Sequence, residues 1–211
     1  MPKFFVNSEQ IKQNSINIKG KDVNHIKNVL RKRINDEIIV CDSSESKDYL
    51  CEIIELNEDC VMCKIKEELE TEVESNINVT IFQGLPKSDK MELVIQKSVE
   101  LGAFEITPVE MRRCVVKLNE KDKNKKIQRW QKISEVAAKQ CGRSIIPRVN
   151  NIISIQDICN SCDKYDIVLV AYENEKENTL KEEINKLKEA KKQINKDIKI
   201  AILIGPEGRH R

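Results

Sequence analysis

The chain has 211 residues, of which 39% are hydrophobic, 34% charged and only 4% aromatic, and its 37 Lys+Arg against 35 Asp+Glu leave a net charge of +2. With five Pro and six Gly, this composition excludes collagen-like, low-complexity and disulfide-scaffold classes and predicts one large or two small soluble domains. No apolar run approaches the ~18 residues needed to cross a bilayer and the first ten residues carry no secretion signal, so a cytoplasmic protein with no membrane partner and reduced cysteines is expected.

In chain order, Phe4-Phe5-Val6 opens the pattern as a short strand. Residues 22–33, DVNHIKNVLRKR, place Val23, Ile26 and Val29 or Leu30 at helical spacing, with Asp22 as the expected N-cap. Residues 37–41, 49–54 and 60–65 are short β-branched runs separated by Asp, Ser, Asn and Glu turns, and these predict a small barrel. The acidic stretch 66–76, KEELETEVESN, lacks apolar periodicity and is the expected linker. The rhythm then changes. A strand over 78–82 precedes the QGLPKSDK loop and an amphipathic helix over 91–102 closed by Gly102, and a strand follows at 106–109. A helix over 123–142 also ends in glycine, and 166–171 and 198–204 are apolar runs expected to be buried on both faces, flanking a surface helix within 175–196. Strands alternating with helices predict a parallel α/β sheet, whose ligands bind beyond the carboxyl ends of the strands.

Charge is uneven along the chain. Residues 1–33 hold eight basic and two acidic residues and 34–76 hold three and fourteen; residues 77–150 hold fifteen and eight, and 151–211 hold eleven of each. Two basic blocks around an acidic one suit a polyanion at particular faces, and nucleic acid is the expected partner; the plainer alternative is a set of solvated helix faces. Cys60-x-x-Cys63 and Cys159-x-x-Cys162 resemble a zinc tetrad, but residues three apart on a strand point to opposite faces and the two pairs are far apart, so no metal is expected. Residues 204–208, IGPEG, follow a strand; their glycines let a backbone approach a ligand, or else make only a tight turn. Neither a dinucleotide nor a P-loop fingerprint is present. Lys87, Asp89 and Lys90 mark a strand-to-helix crossing where lysines would hold phosphates, although Asp89 reads equally as an N-cap. Arg143 lies just past a helix stop, where arginine is usually a surface residue.

Taken together, KFFV, HIKNVLR, QGLPKSDKMELVIQKSVELG (83–102), RRCVVK (112–117), RWQKISEVAAKQCGRSIIP (129–147) and IGPEG, in this order, closely resemble the RsmE family of 16S ribosomal RNA uridine-N3 methyltransferases, a branch of the SPOUT methyltransferases. The resemblance covers nearly the whole chain. It implies a PUA-like RNA-binding β-barrel over 1–70 and a homodimeric SPOUT-type α/β domain over 77–211 that binds S-adenosylmethionine and acts on 16S ribosomal RNA in the small subunit. Gly205, Pro206, Glu207 and Gly208 match the family's cofactor loop, with Ala171, Tyr172 and Glu173 expected on the same pocket. Uridine N3 must lose its proton as it attacks the methyl group, so Arg143 is expected to stabilise the uracil anion and Glu100 to act as base. His25, Lys27, Arg31, Arg33, Lys87 and Lys90 are the expected RNA contacts.

One departure stands out. Family members continue past GPEGG into a segment of the form LG.R.LR.ETA that completes a trefoil knot, whereas this sequence reads GPEG-Arg209-His210-Arg211. Two readings follow: a truncated form of a complete enzyme, which the intact upstream motifs favour, or a shortened product that binds ribosomal RNA without methylating it.

Overall fold

Alternating apolar residues build the first part of the structure, a computed structural model that describes residues 1–70, 74–87, 89–112, 114, 118–172, 175, 179–190 and 197–206. It has two units: Met1–Glu74 with Ala138–Ile146, and Ser75–Ala137 with Pro147–Arg211.

In the first unit, β1 (Lys3–Val6), β2 (Ile11–Lys12), β3 (Ser15–Lys19), β4 (Glu37–Asp42), β5 (Lys47–Leu56) and β6 (Cys60–Leu69) form one sheet in the order β1-β4-β5-β6-β3-β2. Only β1 and β4 pair in parallel within it. Phe4, Val6, Ile16, Ile18, Ile38, Val40, Cys51, Ile53, Val61 and Cys63 point to a shared core. Each such aliphatic burial contributes about 1.5–3 kcal/mol. The segment α1 (Lys21–Asn24) runs into a wide turn over His25–Val29, closed by Leu30 N–H donating to the His25 carbonyl at 2.9 Å, and Val23 and Ile26 seal one end of the core.

Three expectations change here. Gly20, not Asp22, is the N-cap of α1, because the chain enters the helix at φ +75°, which favours glycine; Asp22 instead receives Lys139 Nζ at 3.1 Å. The expected linker begins as strand: β6 runs on to Leu69, with Glu67 and Glu68 exposed opposite Leu50 and Tyr49. Backbone pairing to the ten-residue β5 sustains it without apolar side chains. Strands β2 and β3 were not among the expected elements, although Ile16 and Ile18 are fully buried at alternate positions. The acidic block therefore folds into the same unit as the first basic block. That unit carries thirteen basic and sixteen acidic residues, so its positive charge is local.

The second unit is a parallel sheet of β7 (Ile77–Gly84), β8 (Glu105–Glu110), β10 (Ile153–Ser154), β11 (Ile167–Ala171) and β12 (Ile198–Ile204), ordered β10-β8-β7-β12-β11, with β9 (Arg148–Val149) pairing with β8. Helix α2 (Lys90–Glu100) buries Met91, Ile95 and Val99 along one face. It ends in a turn where Gly102 takes φ +94° and Ala103 N–H donates to the Ser98 carbonyl at 2.9 Å. Helix α3 (Glu120–Cys141) stops the same way at Gly142, φ +77°. Short α4 (Ile155–Cys159) buries Ile158 beside Phe82, Val109 and Ala201, and α5 (Leu180–Ala190) lies within the expected surface segment. Strand β11 departs from expectation: it is an edge strand whose residues are half-buried or exposed, with Val170 63% exposed. Its apolar run looks like that of a central strand, but among the described residues only β12 pairs with it.

Candidate active site

The strand order reverses at β7. The chain moves from β7 outward to β8 on one side, while β12 pairs with β7 on the other. In a parallel sheet such a switch point leaves a crevice outside the carboxyl ends of the two strands. Register places Ala171 level with Ile204, Ile204 level with Gln83, and Gly84 level with Val109. The backbone at 171–172, 205–206 and 84–86 therefore emerges on one edge.

Two glycines shape that edge. A Cβ on Gly84 would lie 2.6 Å from the Pro206 backbone nitrogen and 2.9 Å from Met111 Sδ, so only glycine lets β7 pass so close to the loop after β12. Among the described residues nothing lies within 4 Å of the Gly205 Cβ direction, and Gly205 is exposed. Gln83, 5% exposed, ties the two together: its Nε2 donates to the Gly84 carbonyl at 2.9 Å and to the Gly205 carbonyl at 3.2 Å. Tyr172 is exposed at the neighbouring strand end. The loop is thus a braced backbone edge beside an exposed aromatic side chain, with peptide groups and an apolar surface available to a ligand. Glu173, Glu207 and Gly208 lie outside the described residues.

Beyond Gly84, the loop into α2 borders a cavity of about 140 Å³ lined by Leu85, Pro86, Met91 and Trp130, with Asp89 and Lys126 as its charged members. Lys126 Nζ sits 5.8 Å from the Trp130 ring centroid. Lys87, on the same loop, and Lys90, the first residue of α2, are exposed.

Glu100 does not reach this edge. Helix α2 starts at the carboxyl end of β7 and runs back, and Phe104 N–H, just past its end, bonds the Val79 carbonyl near the start of β7 at 2.8 Å. Glu100 therefore stands at the amino end of the sheet, accepting from Lys97 Nζ at 2.7 Å and Gln96 Nε2 at 2.8 Å. The Lys97 ammonium, then the Gln96 amide, hold its carboxyl below the ordinary range, which makes it a weaker base.

Arg143 also has a different occupation. Its side chain is 7% exposed and forks onto Glu74, with Nη2 to Oε2 at 2.6 Å and Nε to Oε2 at 3.2 Å. Ser144 N–H and Ile145 N–H donate to the same carboxylate at 2.9 and 3.2 Å. Burial acts to raise the Glu74 carboxyl, but Arg143 and the two amides outweigh it and hold the group below its usual value. Lys3 completes the fastening, bonding Asp48 and donating to the carbonyls of Gly142 and Arg143 at 3.0 and 3.1 Å. Arg143 is a clamp inside the first unit.

The expected RNA contacts of that unit cluster on the turn after α1. His25 is exposed with its ring edge-on to Phe4, centroids 6.0 Å apart. Arg31 and Arg33 are exposed, interleaved with exposed Val29 and Ile34, and Arg31 takes φ +52°. Lys27 is half-buried and donates to the Asn57 carbonyl at 2.7 Å. Of the cysteine pairs, Cys63 is core and Cys60 half-buried on the opposite face of β6, while Cys159 is exposed and Cys162 half-buried. Among the described residues no three His, Cys, Asp or Glu converge as metal ligands.

Comparison with known proteins bears on both units. The family profile for an RNA methyltransferase domain matches residues 73–209, and that for an RNA methyltransferase PUA domain matches residues 18–66. The ribosomal RNA small subunit methyltransferase E of Bacillus subtilis is 36% identical over 211 residues, which span 99% of this chain and 81% of that protein. A crystal structure of a hypothetical protein superposes with a TM-score of 0.84 at 34% identity, covering 98% of this chain and 81% of that one. The Neisseria gonorrhoeae ribosomal RNA small subunit methyltransferase E, solved bound to S-adenosyl methionine, superposes with a TM-score of 0.76 at 29% identity, covering 100% and 82%.

Proposed function

The chain belongs to the RsmE family of ribosomal RNA small subunit methyltransferases, and from that premise we propose that it transfers a methyl group from S-adenosylmethionine to N3 of one uridine in 16S ribosomal RNA. The observation that carries this reading is the braced edge at the switch point, where Gln83 holds Gly84 and Gly205 together and Gly205 is exposed. When bound there, S-adenosylmethionine supplies an electrophilic methyl carbon. Gly205 and Pro206 offer it peptide groups, and Ala171 and Tyr172 form the adjoining wall. His25, Lys27, Arg31 and Arg33 on the first unit, and Lys87 and Lys90 on the second, meet RNA phosphates. Exposed Val29 and Ile34 between the arginines add apolar contact to bases or sugars. The protein works as a homodimer in the cytoplasm on the small ribosomal subunit.

The test is methylation of small subunits lacking the modification, with labelled S-adenosylmethionine, followed by reverse transcription. A methyl group on N3 blocks the Watson–Crick edge, so the expected result is label incorporation and a strong stop at a single uridine. Label without a stop places the methyl group elsewhere and overturns the N3 assignment. Absence of label, with RNA still bound, supports an RNA-binding protein in its place.

A further inference from the structure

Among the described residues of the carboxyl edge, the exposed Asp89 has no task in the reading above. Asp89 stands at the N-cap position of α2, yet its side chain makes no capping hydrogen bond. An N-cap aspartate ordinarily accepts from the helix N–H groups; here the carboxylate borders the 140 Å³ cavity instead. The walls are apolar, from Leu85, Pro86, Met91 and Trp130, and the last two are only 2% and 3% exposed. Lys126 lies over the indole and brings an ammonium to the same space. The volume is room for several waters, enough for one flat pyrimidine ring. The cavity lies immediately beyond Gly84, whose backbone abuts Pro206 of the cofactor loop.

We infer that this cavity receives the uracil ring of the target uridine, with Asp89 accepting the N3 proton and Lys126 facing a flanking ring carbonyl; the inference rests on the proposed methyl transfer. The N3–H of uracil lies between two carbonyls, an acceptor–donor–acceptor edge that a carboxylate beside an ammonium complements. Cytosine presents a lone pair at N3, which a carboxylate repels, so the same pair discriminates against it. In the reaction the N3 proton passes to an Asp89 oxygen and then to water. The electron pair left on N3 forms the bond to the methyl carbon, and the pair of the breaking C–S bond stays on sulfur. Lys126 offsets the charge that spreads to the carbonyl as the proton leaves.

Trp130 is the single tryptophan of the chain, so its fluorescence reports on this cavity directly. Uridine monophosphate is expected to quench it saturably, with cytidine and N3-methyluridine monophosphates weaker by about tenfold or more. Asp89→Asn keeps a good N-cap residue and is expected to erase that preference while lowering single-turnover methyl transfer on the order of a hundredfold. Lys126→Met should weaken uridine binding and leave the circular dichroism spectrum unchanged. Equal quenching by uridine and cytidine, no quenching at all, or a preference that survives Asp89→Asn would overturn the inference. Undiminished methyl transfer in Asp89→Asn would remove the proton-accepting role. A uridine preference that depends on Asp89, in a protein that leaves ribosomal RNA unmethylated, would count against the proposed function and support the uridine pocket.

Discussion

Replacing Glu74 by Gln removes the charge from the clamp that holds residues 143–145 against the barrel. The variant keeps the shape of the side chain but leaves the Arg143 guanidinium, 7% exposed, beside a neutral amide. Removing one partner of a fully buried pair costs about 3–5 kcal/mol, whereas an exposed pair is worth about 0–1. Glu74 is 24% exposed, so water reaches one side of it and the expected loss lies between, at about 2 kcal/mol. For a chain of this size that is a fall in Tm of about 4–8 °C, measured by far-ultraviolet circular dichroism. A cycle of Glu74→Gln, Arg143→Met and the double variant should return a coupling energy of similar size. The effect has a defined pH dependence. Because the folded carboxyl titrates below its unfolded value, the unfolded chain binds the extra proton, and the stabilisation is full above the unfolded pKa of about 4.3 and lost as pH falls through the folded one. The gap between wild type and variant should therefore close in acid. A coupling energy under ~0.5 kcal/mol, or a gap that is constant down to the lowest pH, would refute a structural Arg143 and return it to the catalytic candidates.

Other substitutions probe the remaining features. Lys3→Met strands Asp48, whose side chain is 3% exposed, and should cost about 3–5 kcal/mol in urea denaturation; a loss below ~1 would mean the ammonium is replaceable by water. Gly84→Ala drives a methyl group into the Pro206 backbone and should destabilise by about 1–3 kcal/mol and abolish S-adenosylmethionine binding by calorimetry; unchanged binding would place the cofactor elsewhere. Burial holds the Cys51 and Cys63 thiols protonated up to about 12 and pushes Cys41 up as well. The unfolded chain loses those protons near ~8.5, so stability is full below that pH and falls as pH rises toward 12. Replacing Cys51 and Cys63 by Val should flatten the alkaline decline, and a native-state thiol titration should find exposed Cys141 and Cys159 reactive first.

What the sequence made legible was what hydrophobic period controls. The alternation of Ile38 and Val40, the α2 face of Met91, Ile95 and Val99 and the two glycine helix stops all appear where periodicity and stop signals put them. Strand β3 obeys the same rule through Ile16 and Ile18, but its polar partners Ser15, Asn17 and Lys19 mask a signal that was present. Charge pairing is another matter. Glu67, Glu68, Glu70, Glu72 and Glu74 are alike in sequence, and nothing local says that Glu74 takes a buried arginine sixty-nine residues away while Glu67 and Glu68 face solvent on a strand. Likewise Asp89 carries every mark of a capping residue, and only its side-chain geometry separates it from one. Non-local partners decide such roles, and local pattern carries no information about them.

The fastening of Gly142 and Arg143 to Lys3, across 139 and 140 positions of chain, has a consequence for biosynthesis. During translation the six strands of the first unit emerge within the first seventy residues, together with the Lys3–Asp48 pair, but the segment that neutralises Glu74 and accepts from Lys3 is made only after helix α3. Until then Glu74 lacks the guanidinium and the two amides that hold it, the Lys3 ammonium lacks two of its carbonyl acceptors, and closure waits for a long loop. Vectorial folding of this protein is thus interrupted: its first unit begins first and is completed only after most of the chain has left the ribosome.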